Sequence, residues 1–269
     1  MIKFTAALLF SLSLFSYAAH AEQQQDIRNY SYAVYAGGFY VLDADMTLTH
    51  TDDTYDIHLD TKTHGLLDRV VSWAGIFETT GEIKGDERQV LEHKSTATFR
   101  GDTNIKSYAY NPDGQFKSLT LTDHEKNKEP VTTVSDIKPE LADGSTDILT
   151  AMLSMMSDDA PCNDRADVFD GKRRFEIVFR KLDDTVLSTS RYNSYGGPAS
   201  VCEIEIFPKG GKWHEKPRGW LSIQEQGREK GQLPRLWVAE IDGLYVPVKI
   251  LVKTNYGTFL MHKSDQVVH

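Results

Sequence analysis

The chain has 269 residues, 40% hydrophobic and 26% charged, with 39 acidic side chains against 30 basic ones and a formal charge of −9. This is ordinary globular composition and argues against a disordered, coiled-coil or collagen-like protein. The acidic balance argues against a nucleic-acid module, which needs a dense cationic face, and no apolar run is long enough for a permanent transmembrane span.

Residues 1–21 read as a cleaved secretory signal peptide. Lys3 supplies the positive start, Ala6 to Phe15 form an apolar stretch broken only by Ser11 and Ser13, and Ala19-His20-Ala21 is a small-x-small cleavage site. No cysteine follows the stretch, so no lipid anchor is expected, and residues 22–269 are expected to be exported and soluble. The rest of the chain mostly alternates with period two. Tyr30, Tyr32 and Val34 share one face; Tyr55, Ile57 and Leu59 interleave with Thr54, Asp56, His58 and Asp60. Such alternation is what a half-buried antiparallel strand requires.

Leu66, Val70, Trp73 and Phe77, joined by Leu67, Val71 and Ala74, form an apolar stripe at helical spacing that Gly75 weakens. Asp113-Gly114 is a hairpin turn signal, as are Asp170-Gly171 and Asp242-Gly243 further on. The polar stretch from Asp123 to Gly144 is the best boundary between two lobes, about 22–140 and 145–269, of one continuous domain. Ile148, Leu149, Met152, Leu153 and Met156 then follow helical spacing, with Ser145, Thr146 or Asp147 available as the cap.

Export makes the two cysteines readable. Cys162 and Cys202 are the only pair, and an oxidising compartment favours joining them. A bridge closing about 40 residues stabilises a fold by roughly 4 kcal/mol on the chain-entropy estimate. A catalytic thiol or a two-cysteine metal site would want a C-x-x-C or a nearby histidine, and neither is present. Phe175, Ile177 and Phe179 alternate with charged residues, as do Cys202, Ile204 and Ile206, which puts Cys202 on a buried strand face. Val246, Val248, Ile250 and Val252 repeat the pattern near the end. The fold class expected is mainly β: a large antiparallel curved sheet or partly open β-barrel, with one or two short helices packed on it or in it.

No motif of reaction chemistry stands out. His214-Glu215 opens like a zinc-protease motif but has Arg218 where the second histidine belongs. Asp158, Asp159, Asp164, Asp167 and Asp170 lack the spacing of a calcium loop and read as a solvated loop ending in a turn. There is no G-x-S-x-G and no S-x-x-K, and Gly37-Gly38, Gly196-Gly197 and Gly210-Gly211 lack the strand-to-helix setting of a phosphate loop. No catalytic residue, metal ligand or cofactor is therefore assigned.

The aromatics are the constellation that remains. Tyr30, Tyr32, Tyr35, Phe39 and Tyr40 crowd the first strands, Trp213 and Trp220 flank a Lys/Pro/Arg loop, and Trp237 sits on a late strand. They read as core packing and cross-strand pairs, or as the lining of an apolar cavity plugged by the helix at 148–156. In the second case Tyr32, Met152, Met156 and Trp237 are the candidate ligand-binding residues.

The C-terminal half carries a resemblance. The helix, Cys162, Val168-Phe169-Asp170-Gly171-Lys172-Arg173-Arg174-Phe175, Arg191-Tyr192, Tyr195-Gly196-Gly197-Pro198-Ala199, Val201-Cys202-Glu203-Ile204, Val246-Pro247-Val248 and Thr254-Asn255-Tyr256-Gly257-Thr258 occur in that order. That arrangement, with the opening from Tyr32 to Gly38, resembles the domain-of-unknown-function family numbered 3108, exported proteobacterial envelope proteins. The resemblance implies a Gram-negative periplasm and a partly closed antiparallel sheet, a shape similar to the lipoprotein carriers and disulfide-bearing β-spiral proteins of that compartment. The family has no established catalytic residues to carry over. The function expected is a non-catalytic binding or scaffolding protein of the cell envelope, with a lipid-like or peptide ligand in the concavity. The alternatives are an interaction module that binds envelope proteins through its sheet edges or the 123–144 segment, and an unrecognised hydrolase.

Overall fold

The structure is a computed structural model, and it describes residues 25–157, 161–190, 192–213, 219–255 and 257–264. The signal peptide expected over residues 1–21, Asp158 and Asp159, and the His214-Glu215 pair lie outside these residues.

Eight strands come first: β1 (Asp26–Ala36), β2 (Phe39–His50), β3 (Thr54–Thr63), β4 (Trp73–Lys84), β5 (Glu87–Phe99), β6 (Asp102–Tyr110), β7 (Phe116–His124) and β8 (Val131–Val134), with helix α1 (Gly65–Val70) between β3 and β4. Helices α2 (Pro139–Ala142) and α3 (Ile148–Ser157) follow. The chain then forms β9 (Arg165–Phe169), β10 (Arg173–Leu187), β11 (Gly197–Gly211), helix α4 (Trp220–Lys230), β12 (Arg235–Ile241), β13 (Leu244–Thr254) and β14 (Gly257–Ser264).

All the strands belong to one antiparallel sheet in the order β8-β7-β6-β5-β4-β3-β2-β1-β14-β13-β12-β11-β10-β9. The first and last strands meet in its middle, with Val34 opposite Met261. From that seam one meander steps outward from β1 to β8 and the other from β14 back to β9. The fold is therefore mainly β, as expected, with a sheet that does not close into a barrel.

The sheet curls so that its two arms face each other across α3, which packs against β5, β9 and β13. Side chains rather than a ladder bring β9 to β6. Tyr108 donates its hydroxyl to the Phe169 carbonyl at 2.9 Å, and Lys106 donates to the carbonyl of Asp170. The backbone of Thr146 covers the β9 edge, with Thr146 N to Asp167 O and Phe169 N to Thr146 O both at 2.8 Å. The Asp-Gly pairs at 113, 170 and 242 sit between β6 and β7, β9 and β10, and β12 and β13.

The stripe at 66–77 is corrected. Only Gly65–Val70 is helical; Trp73 begins β4, which pairs with β3 and β5 on its two sides. Two complete ladders outweigh a helix broken by Gly75, whose missing side chain leaves room for the Trp73 ring. Leu66 and Val70 are consequently left in solvent. Helix α4 had no sequence signal. It docks through polar groups: buried Gln224 accepts from Ile206 N and donates to Ile204 O, and Arg228 donates to Ile206 O and Glu205. Those contacts occupy main chain of β11 beyond its pairing with β12, which runs from Ser200 to Glu203.

Candidate functional site: an apolar cavity behind helix α3

Helix α3 lies within the curl, and Leu149, Thr150, Ala151, Leu153, Met155 and Met156 are all buried. A helix hydrophobic on more than one face belongs inside a fold. Of the three candidate caps, Asp147 is the one used. Its Oδ1 accepts from Leu149 N at 2.8 Å and Thr150 N at 3.3 Å, which satisfies two of the helix's orphan donors. The same carboxylate collects the sheet: Thr79 Oγ1 donates at 2.9 Å, His93 Nδ1 lies at 3.2 Å, and Thr150 Oγ1 donates to Oδ2 at 2.5 Å. Since the Thr150 hydroxyl hydrogen is committed there, Tyr55 must donate in its 2.8 Å contact with Thr150. Burial raises the Asp147 pKa, but the hydrogen bond and charge of His93, with the hydrogen bonds of Thr150 and Thr79, outweigh it and hold the carboxyl below its ordinary range.

Beyond the C-terminus of α3, Cys162 is bonded to Cys202, with Cα atoms 5.2 Å apart. Cys202 stands in a cross-strand row that continues through Leu236, Ile250, Met261, Val34 and Leu42. The last four of these row positions line a cavity of about 350 Å³ between α3 and strands β1, β2, β3, β13 and β14. Met46, Met152, Met156 and Met261 are among its walls, four of the protein's six methionines. A lining so rich in unbranched thioethers adapts to irregular apolar guests.

Two side chains bring hydroxyls to this lining. Thr61 spends its own on the Gly75 carbonyl at 2.9 Å. The Tyr32 hydroxyl is buried without a hydrogen-bond partner. Burial pushes its pKa upward, so it stays protonated and can donate.

The structure thus brings Tyr32, Met152 and Met156 together. Trp237 is not with them, and that expectation is corrected. Its neighbours Leu236 and Val238 belong to the main core cluster, so strand alternation turns Trp237 to the convex face. There it packs with Ala199, Ala239 and Val248, and the Lys249 ammonium sits 4.5 Å from its ring centroid. Met46 and Met261 were invisible in the sequence, because a lone methionine on a strand has no pattern around it.

The profile of DUF3108, described as a protein family of unknown function, matches residues 31–264. The chain belongs to the DUF3108 family. A search of curated proteins returns no match for this DUF3108 chain. Among solved structures it is similar to a β-barrel-like protein of the domain of unknown function DUF1849 from Brucella abortus, at 8% identity and a TM-score of 0.44, over 90% of this chain and 96% of that one.

Other clusters on the DUF3108 chain are less suited to a guest. A groove of about 750 Å³ between the sheet's two ends is lined by Lys106, Lys138, Lys172 and Lys212, the last three exposed. On the convex face buried Asp43 is held by Tyr40 and by His64 at 2.9 Å, while Tyr35 stacks on Tyr40 and meets Tyr192 edge-on. Among the described residues no group of three or more His, Cys, Asp or Glu side chains could hold a metal ion.

Beside that cluster, His262 Nδ1 is buried without a partner, and burial, then the Lys249 charge, drop its pKa to about 4. The folded state therefore resists a proton that the unfolded chain accepts near 6.5. Stability from this group is present above pH 6.5 and is lost as pH falls toward 4. His262→Phe is expected to flatten the fall in urea midpoint between pH 7 and pH 5. An unchanged slope in the variant would show that His262 does not set it.

Proposed function

We propose that this is an exported, non-catalytic binding protein of the cell envelope that holds a single-chain hydrophobe with one polar terminus. The observation that carries the reading is a cavity of about 350 Å³ whose walls are almost wholly apolar and include Met46, Met152, Met156 and Met261, with Tyr32 among them. Sites of this kind are concave, mostly apolar and equipped with few polar groups that fix orientation. At about 30 Å³ per small group, 350 Å³ accommodates on the order of a dozen methylenes. Tyr32 would donate to a carbonyl, carboxylate or hydroxyl oxygen at the end of such a chain. The leader pattern, the single disulfide and the family membership support a periplasmic setting.

The test has two arms. Mass spectrometry of lipids extracted from protein isolated under native conditions is expected to find a co-purifying hydrophobe. Titration with dodecanoic acid is expected to show saturable uptake, weakened about fivefold by Tyr32→Phe, the value of one hydrogen bond. Ala44→Leu, which adds bulk to the cavity wall, is expected to weaken uptake about tenfold or more while the protein stays folded. No uptake, or uptake indifferent to both substitutions, would sink the reading.

A further inference from the structure

In an antiparallel meander every second turn lies at the same end of the sheet, so the β1–β2 turn, the α1 connection, the β5–β6 turn and the β13–β14 turn share one end. Backbone bonds tie them into a rim: Gly37 N to Thr258 O at 3.0 Å, His64 N to Val41 O at 2.9 Å, and Arg100 N to Ser72 O at 3.0 Å. The Arg100 guanidinium adds a bond to Val70 O at 3.0 Å. Five large apolar side chains stand exposed on this rim: Phe39 at 77%, Leu66 at 78%, Val70 at 68%, Phe99 at 45% and Phe259 at 43%. Arg69, Arg100 and Lys253 are interleaved with them, and the acid of α1, Asp68, accepts a hydrogen bond from Thr63.

The opposite end is different in kind. Its turns carry Asp52 and Asp53 between β2 and β3, Asp86 between β4 and β5, Asp113 between β6 and β7, and Asp242 between β12 and β13. The rim is apolar and basic, whereas the turns just named at the opposite end each carry an aspartate; further along the rim's own end, Glu125 and Glu129 alternate with Lys126 and Lys128 between β7 and β8. Exposed apolar clusters on soluble folds mark interaction surfaces, and apolar side chains mixed with cations match the interface of an anionic bilayer. The acidic end would face away from that surface.

Two rim residues stand next to the cavity wall. Phe259 pairs with Ala36 and lies two residues before Met261 on the same strand face, and Phe39 lies three residues before Leu42; Met261 and Leu42 both line the cavity. We propose that this rim docks on the surface of a phospholipid bilayer bearing anionic headgroups, seating Phe39, Leu66, Val70, Phe99 and Phe259 in its interface and setting the cavity mouth against it for exchange of the guest. The exchange step rests on the cavity reading above; the docking step does not.

Co-sedimentation of the folded protein with vesicles of phosphatidylethanolamine and phosphatidylglycerol tests the docking. The wild type is expected to pellet with them, and less with phosphatidylcholine alone. Two variants, Leu66→Glu/Val70→Glu and Phe39→Ser/Phe259→Ser, are each expected to lose roughly tenfold or more of that binding while taking up dodecanoic acid as the wild type does. All four positions are exposed, so folding is not at stake, and circular dichroism checks it. Absence of vesicle binding by the wild type, or binding undiminished in both variants, overturns the proposal. So does a wild-type dimer that the same substitutions dissociate without vesicle binding, since the rim would then belong to a second copy. Vesicle binding without dodecanoic acid uptake keeps the docking surface and overturns the cavity reading and the exchange.

Discussion

Asp147→Ala is expected to destabilise the protein by about 3–5 kcal/mol, the range for removing one partner of a buried charged network. The size follows from how many groups depend on one carboxylate. Leu149 N and Thr150 N lose their acceptor at the start of α3, and Thr79 and Thr150 lose the acceptor for their hydroxyls. His93 and Tyr55 are then left in a network whose centre is gone. Asn at the same position keeps the shape but loses the charge and puts an amide where acceptors are needed, so partial rescue at most is expected. Urea unfolding at neutral pH measures both variants, and a loss below 1 kcal/mol for alanine would refute this account. The pH dependence has a defined sign. The folded-state pKa of Asp147 is depressed, so its contribution is fully present above the unfolded value of 3.8 and is lost as pH falls through the folded value.

Removing the disulfide is the second large effect. Cys162→Ser with Cys202→Ser releases a closure of 40 residues and is expected to cost roughly 4 kcal/mol. The bond also holds the segment after α3 against the strand row that lines the cavity, while Asp147 holds the other end of the helix. The two substitutions therefore act on one element and are expected to be non-additive, since the helix is already loosened after the first. Thermal unfolding with and without reductant, and a double-mutant cycle with Asp147→Ala, measure this. Reductant-insensitive unfolding, or strictly additive losses, would separate the disulfide from the helix.

What the sequence disclosed and what it hid divide along physical lines. Strand alternation is local, so the faces of β1, β3, β10 and β11 could be read directly. Helix α3 was legible because Leu149, Met152, Leu153 and Met156 repeat at 3.6 residues and Asp147 precedes them. The stripe at 66–77 misled because helical spacing over twelve residues competes with two neighbouring ladders that lie elsewhere in the chain. Helix α4 has no stripe to find: Gln224 and Arg228 hold it by hydrogen bonds, and Gly227 lets Leu233 approach closely. The cavity itself was half legible. Tyr32, Met152 and Met156 sit in periodic segments, whereas Met46 and Met261 become neighbours only once β14 lies beside β1. His93 and Thr79 are of the same kind, since their role depends on an aspartate 54 and 68 residues away.

The seam in the middle of the sheet has a consequence for how the chain is made. Each arm is a run of neighbouring hairpins and can form from local contacts, but β1 pairs with β14, which lies far away in the sequence. Pairing of such separated segments is slow, so the central ladder is expected to form after the two arms. Ser31 stands opposite Ser264 once that ladder has formed, so the join brings together strands from the two extremes of the described residues.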